Sequence, residues 1–225
     1  AMRIARDIEF LKDELRILAL GEEIKPEIRR LNELKSVLMM PESLEKDGIA
    51  YMMYRDLPPL RGSPIRLDVT AIPPWNVGGE LAKTKGHYHL PLEGKSLPEI
   101  YYVHSGRAIF LLQRRGASIY EIEDFIVIEA EAGRYVMVPP GYGHVSVNAG
   151  EDMLVMSNLI HRGVMPDYEP YEITRGAAYY VTSDGLVRNP RYEKAPDPRY
   201  EKGPEYSSLE DLMNDRGILE RLTDP

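Results

Sequence analysis

The chain has 225 residues, a formal net charge of −8 and no cysteine. Those facts exclude disulfides, thiolate metal sites and a cysteine nucleophile, and the acidic balance argues against nucleic acid as a partner of the whole chain. Hydrophobic residues make up 43%, an ordinary globular balance, and no apolar run approaches the length of a membrane span. The N-terminus is charged from Arg3 onward and lacks an apolar segment, so no secretory signal and a cytoplasmic protein are expected.

The length fits one domain with appendages. In chain order, Ile4, Ile8, Leu11, Leu15 and Leu18 recur at three or four residues, and Ile28, Leu31, Leu34, Val37 and Leu38 do so again after Pro26. This spacing predicts two N-terminal helices, separated near Gly21 and closed by Pro41, in an arm over 1–47. From about 48 to 182 the pattern changes to short β-rich runs cut by Gly and Pro, at 49–54, 65–72, 80–89, 99–104, 107–113, 126–129, 134–138, 143–148 and 153–160. Many short strands without helical stretches between them predict a mainly β sandwich or barrel. Residues 183–225 read as a Pro-, Arg- and Tyr-rich tail followed by one short helix from Ser207 to Leu222, with Ser208 as its cap. The apolar set at 4–18 calls for a partner surface, and a homodimer is one way to provide it.

Chemistry concentrates in two glycine-bounded segments. The first reads Gly86-His87-Tyr88-His89, then Glu99; the second runs from Gly133 through Pro139-Pro140-Gly141 to His144 and Asn148. In a strand, residues i and i+2 share a face, so His87 and His89 can aim two imidazoles at one point while Tyr88 turns away. Glu99 opens the next strand with Tyr101 on its face. Three neutral imidazoles and a carboxylate suit one divalent first-row metal ion and leave positions open for water or substrate. Alone, a His-x-His pair in a strand is a weak signal; two segments with matching internal spacing are a much stronger one.

The two segments resemble the two motifs of the cupins. The second matches throughout, at Gly133, Pro139, Gly141, His144 and Asn148. The first departs in one respect: Glu93 stands where many cupins place the glutamate, but it lies in the loop-like stretch 90–95, whereas Glu99 opens a strand and is followed at the cupin interval by Gly106. Glu99 is therefore taken as the ligand and Glu93 as a solvated loop charge. Within cupins, Thr84-Lys85-Gly86-His87-Tyr88-His89 and Pro98-Glu99-Ile100-Tyr101-Tyr102-Val103 are similar to the archaeal cupin-type glucose-6-phosphate isomerases, over roughly residues 48–170.

The resemblance implies a double-stranded β-helix, or jelly-roll barrel. It implies one divalent metal per chain, Fe2+ first and Mn2+, Ni2+, Co2+ or Zn2+ as alternatives, on His87, His89, Glu99 and His144. It also implies candidate catalytic roles for Glu99 and Tyr101, and sugar-phosphate contacts at Tyr51, Thr70, Thr84, Gly86, Tyr101 and Tyr168. Thr84 has the wrong strand parity to face the metal unless Gly86 marks a bulge. A family histidine expected just before Asp167-Tyr168 is absent, with Pro166 in its place and His161 nearby. The expected activity is interconversion of glucose 6-phosphate and fructose 6-phosphate. A metal cupin of another class, such as a dioxygenase, and a non-catalytic phosphosugar-binding cupin share the metal set and remain open.

Overall fold

A computed structural model describes residues 1–224. The central feature is a six-stranded antiparallel sheet, in spatial order Tyr135–Val138, Glu99–Ser105, Leu154–His161, Ile65–Ile72, Ile49–Tyr54 and Glu27–Arg30. Facing it is a four-stranded sheet of Tyr142–Asn148, Arg107–Arg115, Ile122–Glu131 and Arg199–Lys202, the last strand running parallel to its neighbour. Period-two alternation sorts the side chains: Tyr101 and Val103 join Phe110, Leu112 and Val145 in the core between the sheets, while Ile100 and Tyr102 point to the opposite face. This is the mainly β cupin barrel that the strand pattern and the motifs predict. Among the described residues, no helix is long and apolar enough to cross a membrane.

The N-terminal helices are not present. Met2–Ala5, Ile8–Leu11, Arg16–Ala19 and Glu22–Ile24 form a four-stranded antiparallel meander instead. The physical reason is that the same apolar residues also fit period two. Ile8 and Phe10 are buried on either side of exposed Glu9, as are Ile17 and Ala19 around Leu18. Tight turns at Asp7, Leu15 and Leu20, each with positive φ, reset the phase every few residues, and that reset mimics a helical spacing. The second apolar set divides among the strand Glu27–Arg30, the 3₁₀ turn Leu31–Leu34 and the irregular stretch after it that holds Val37 and Leu38. At the C-terminus the single helix becomes two, Leu209–Met213 and Arg216–Thr223. Ser208 caps the first through Asp211 N at 3.1 Å, and Asp215 caps the second through Ile218 N at 3.1 Å.

The meander and the C-terminal helices pack on the outer face of the six-stranded sheet. Ile4, Ile8, Phe10 and Ile17 join Leu209, Leu212 and Leu222 in one buried cluster with Met52, Leu67, Val69 and Leu159. The partner surface that the apolar residues of 4–18 require, offered above as ground for a homodimer, is thus found within the single chain.

One buried ion pair fastens residues 37–39 to the barrel. Lys83 Nζ lies 2.7 Å from Glu80 Oε2 and donates to Val37 O at 2.6 Å, and Glu80 Oε1 accepts from Met39 N at 2.9 Å. Removing one partner leaves the other charge buried without compensation. Glu80→Ala is expected to destabilise the chain by roughly 3–5 kcal/mol in urea denaturation, and the double variant Glu80→Leu with Lys83→Met by clearly less.

Candidate metal centre and active site

The walls of the barrel bring His87, His89, Glu99 and His144 together. One ligand atom from each lies within 4.8 Å of all the others. Glu99 stands at the start of its strand, where it pairs with Val138 and Ile160, and its side chain points inward. His144 is the third residue of Tyr142–Asn148 and meets His87 across an isolated bridge, with His87 N donating to His144 O at 3.2 Å and His144 N to His87 O at 3.1 Å. The strand expected over 80–89 survives only as Glu80–Leu81 and Tyr88–His89. His87 therefore precedes the second of these, and its position depends on Gly86.

Gly86 takes φ +84°, in the left-handed region, and a Cβ there would lie 2.7 Å from Val145 Cγ2 and 3.2 Å from the Tyr171 ring. This turn re-aims the chain. Thr84, which straight-strand parity would face outward, lines the cavity, and its Oγ1 accepts from Ser146 N at 2.9 Å. Gly86→Ala is expected to destabilise the fold by about 1–3 kcal/mol and to lower both metal content and turnover, because the strain falls on the residue beside a ligand. Elemental analysis alongside thermal melts checks this.

The electrostatics are those of a cation-binding cluster. His144 Nε2 and His89 Nε2 lie 2.9 and 3.3 Å from the same Glu99 Oε1, and Asn158 Nδ2 donates to Glu99 Oε2 at 2.7 Å. Burial alone would raise the Glu99 carboxyl, but the two imidazoles outweigh it and hold the group well below the usual carboxylate range. Burial pushes His87 well below the ordinary imidazole value, with the neighbouring His144 adding to the effect, so His87 stays neutral and able to ligate. On His89 burial acts in the same direction but is outweighed by the Glu99 contact, which raises it. A cation at this point competes with that proton, so metal affinity rises with pH. His144 Nδ1 is buried with no hydrogen-bond partner, and His89 Nδ1 lies 2.7 Å from Leu97 O, a contact of the kind that orients ligating imidazoles. The donor set, its burial and its convergence all fit a divalent metal ion.

Around the cluster is a cavity open to solvent on one side. Tyr101 reaches into it and places its hydroxyl 3.2 Å from Glu99 Oε1 and 3.0 Å from His144 Nε2. Tyr51, Thr70, Thr84, Gly86 and Tyr168 all line it. The Tyr51 hydroxyl accepts from Lys85 N at 3.2 Å, and the Tyr168 ring stands edge-on to His87 with centroids 5.3 Å apart. Glu93 lies outside, exposed in its loop with φ +50°. Pro166 lines the cavity, whereas His161 accepts from Gly163 N at 3.0 Å and is not among the lining residues. His161 therefore does not take the place of the missing histidine. His104 binds Ser157 Oγ at 2.6 Å away from the cluster, and burial pushes it down to about 4. Asn148 ties Ile72 O and Asp152 O together, and the Trp75 indole donates to Ala50 O.

Sequence reasoning missed Asn158, Arg55 and Arg66 on the cavity wall. Asn158 was legible in principle: it sits two residues from Met156 and from Ile160 on one strand face and pairs directly with Tyr101. The two arginines sit in no motif, and only the register of Ile49–Tyr54 against Ile65–Ile72 brings them together.

Comparison with known proteins gives the family. The family model described as Glucose-6-phosphate isomerase (GPI) matches residues 28–197, well over half of the chain. The chain belongs to the glucose-6-phosphate isomerase family. The match begins at Ile28, within the strand that edges the six-stranded sheet, and so leaves out the N-terminal meander and the C-terminal helices. Relatives include the glucose-6-phosphate isomerase of Thermococcus litoralis, 28% identical over 65% of this chain and 75% of that protein. The Pyrococcus furiosus enzyme of the same name is 26% identical over 77% of this chain and 91% of its own length. Among solved structures, the oxalate decarboxylase of Lactobacillus farciminis aligns over 67% of this chain and 34% of its own, with 15% identity and a TM-score of 0.43.

Proposed function

We propose that this family member interconverts glucose 6-phosphate and fructose 6-phosphate, using one divalent metal ion held by His87, His89, Glu99 and His144. The observation that carries the reading is the composition of one cavity. A metal-ligand cluster lines it together with hydroxyls and a backbone amide suited to a phosphate.

The reaction moves hydrogen between C1 and C2 of an open-chain sugar. A divalent ion in this cluster supplies Lewis-acid polarisation of the reacting carbonyl. The chain's own residues do the rest. Glu99, fixed by Asn158, is the carboxylate that the cluster turns into the cavity. Tyr101, whose hydroxyl bridges Glu99 and His144, is placed to pass a proton to or from a sugar oxygen. The Tyr51 hydroxyl takes a hydrogen bond from Lys85 N and the Thr84 hydroxyl one from Ser146 N, so each has its own proton left to donate to phosphate oxygens. Thr70 and the Gly86 amide complete that end. Binding energy released at the phosphate orients the distant carbons. The Tyr168 ring stands edge-on to His87 at the metal-ligand cluster.

A coupled assay of glucose 6-phosphate formation from fructose 6-phosphate, run before and after chelation and after metal restoration, tests the reading. Activity should vanish with the chelator and return with one ion per chain. Consumption of dioxygen without isomerisation would assign the site to an oxygenase. Thermal protection by the phosphosugar without product, whichever of the five metals is loaded, would make it a binding site only.

A further inference from the structure

A dianionic phosphate needs positive charge, and the cations around the cavity fall into two groups. Arg55 and Arg66 line the wall, but the Asp68 carboxylate, buried with 3% exposure, lies 2.9 Å from Arg66 and 3.7 Å from Arg55. Glu27 lies 3.3 Å from Arg55. The buried Asp68 carboxylate offsets this pair at close range, and Arg55, itself 40% exposed, is screened by solvent as its neighbour Glu27 is.

The second group surrounds Tyr168. The Arg29 guanidinium stands 5.4 Å from the Tyr168 ring centroid and 5.9 Å from that of Tyr51, and its Nη2 donates to the Tyr168 hydroxyl at 3.4 Å. Lys85 Nζ lies 5.3 Å from the same Tyr168 ring. The Arg29 and Lys85 side chains are only 17% and 13% exposed, whereas their carboxylate neighbours Glu33 and Glu172, each 3.6 Å away, are exposed to solvent. Solvent-screened carboxylates at that distance offset a half-buried cation weakly. Arg29 Nε is buried with no hydrogen-bond partner. The register accounts for the arrangement: Arg29 pairs directly with Tyr51 across the strands Glu27–Arg30 and Ile49–Tyr54, so both side chains occupy one sheet face.

We propose that Arg29 sets this chain's selectivity for a phosphorylated sugar, a role that rests on the isomerase reading. Arg29 does not itself line the cavity. It acts as a positioning residue, through the Tyr51 and Tyr168 side chains it holds against the cavity and through the weakly offset charge it places behind them. Lys85 reinforces that charge from the other side of Tyr168.

Arg29→Gln and Arg29→Lys in the metal-loaded full chain test this. Arg29→Gln should raise KM for fructose 6-phosphate about tenfold or more and weaken competitive inhibition by inorganic phosphate by a similar factor, with a much smaller fall in kcat. Arg29→Lys should restore most of both. A fall in kcat with KM and phosphate inhibition unchanged in both variants would overturn the proposal, since it would mean that neither the charge of Arg29 nor the tyrosines it holds contributes to binding the phosphate end. If the wild-type chain shows no turnover, the isomerase reading fails separately. Calorimetric titration of inorganic phosphate then decides the role of Arg29: weaker binding in Arg29→Gln supports it, and equal affinity in the two proteins overturns it.

Discussion

Replacing Glu99 by alanine should abolish turnover and weaken metal binding by roughly a hundredfold or more, beyond the range typical of losing an outer partner of a ligand. Glu93→Ala should change neither. Two imidazole nitrogens, the Asn158 amide and the Tyr101 hydroxyl all converge on the Glu99 carboxylate. Deleting it leaves the Asn158 amide and the Tyr101 hydroxyl without their acceptor, at about 1–3 kcal/mol for each donor stranded, and takes one ligand from the metal. Glu99→Gln keeps the shape and one acceptor oxygen. It should fold better than the alanine variant yet still lose activity, because a neutral amide is a poor metal ligand and no base. Paired elemental analysis and activity assays check the set. The reverse outcome, with Glu93→Ala inactive and Glu99→Ala fully loaded, would mean that the wrong glutamate has been assigned.

The second large effect concerns the phosphate. Unphosphorylated fructose should have a kcat/KM lower than that of fructose 6-phosphate by roughly a thousandfold or more. A phosphate held by several donors gains about 1.5–3 kcal/mol from each charge-assisted hydrogen bond, and every 1.36 kcal/mol lost from the transition state is tenfold in rate. The loss should appear in kcat as well as KM if the phosphate end orients C1 and C2. Thr84→Ala, which removes one of those donors, should lower kcat/KM for the phosphosugar about tenfold. Equal kcat/KM values for the two sugars in a coupled assay would remove the phosphate end from the account.

How much of this was legible in the sequence follows from what each signal depends on. The four cluster residues were readable because strand parity and glycine-bounded spacing are local, and the barrel only closes what those segments already aim. The preference for Glu99 over Glu93 was readable for the same reason, since a strand start and a loop differ in sequence. The N-terminal meander was not readable. Residues 2–24 satisfy two periods at once, and tertiary packing against Met52, Leu67 and Val69 chooses between them. Thr84 carried a contradiction between parity and role, resolved by the positive φ of Gly86, a backbone feature that a glycine permits but does not announce. Arg29, Arg55, Arg66 and Asn158 escaped notice because their proximity to the cavity depends on strand register, which no single segment encodes.

The central claim is that the His87, His89, Glu99 and His144 cluster supports isomerisation of a phosphosugar. The most direct measurement is NMR product analysis of fructose 6-phosphate incubated with the metal-loaded chain in deuterated water, with the Glu99→Ala protein as control. The account predicts glucose 6-phosphate approaching equilibrium with the wild-type chain and none with the variant. Deuterium at C2 would indicate proton transfer through an enediol. Unchanged fructose 6-phosphate with a fully metal-loaded wild-type chain, or the same product yield from Glu99→Ala, would contradict the account.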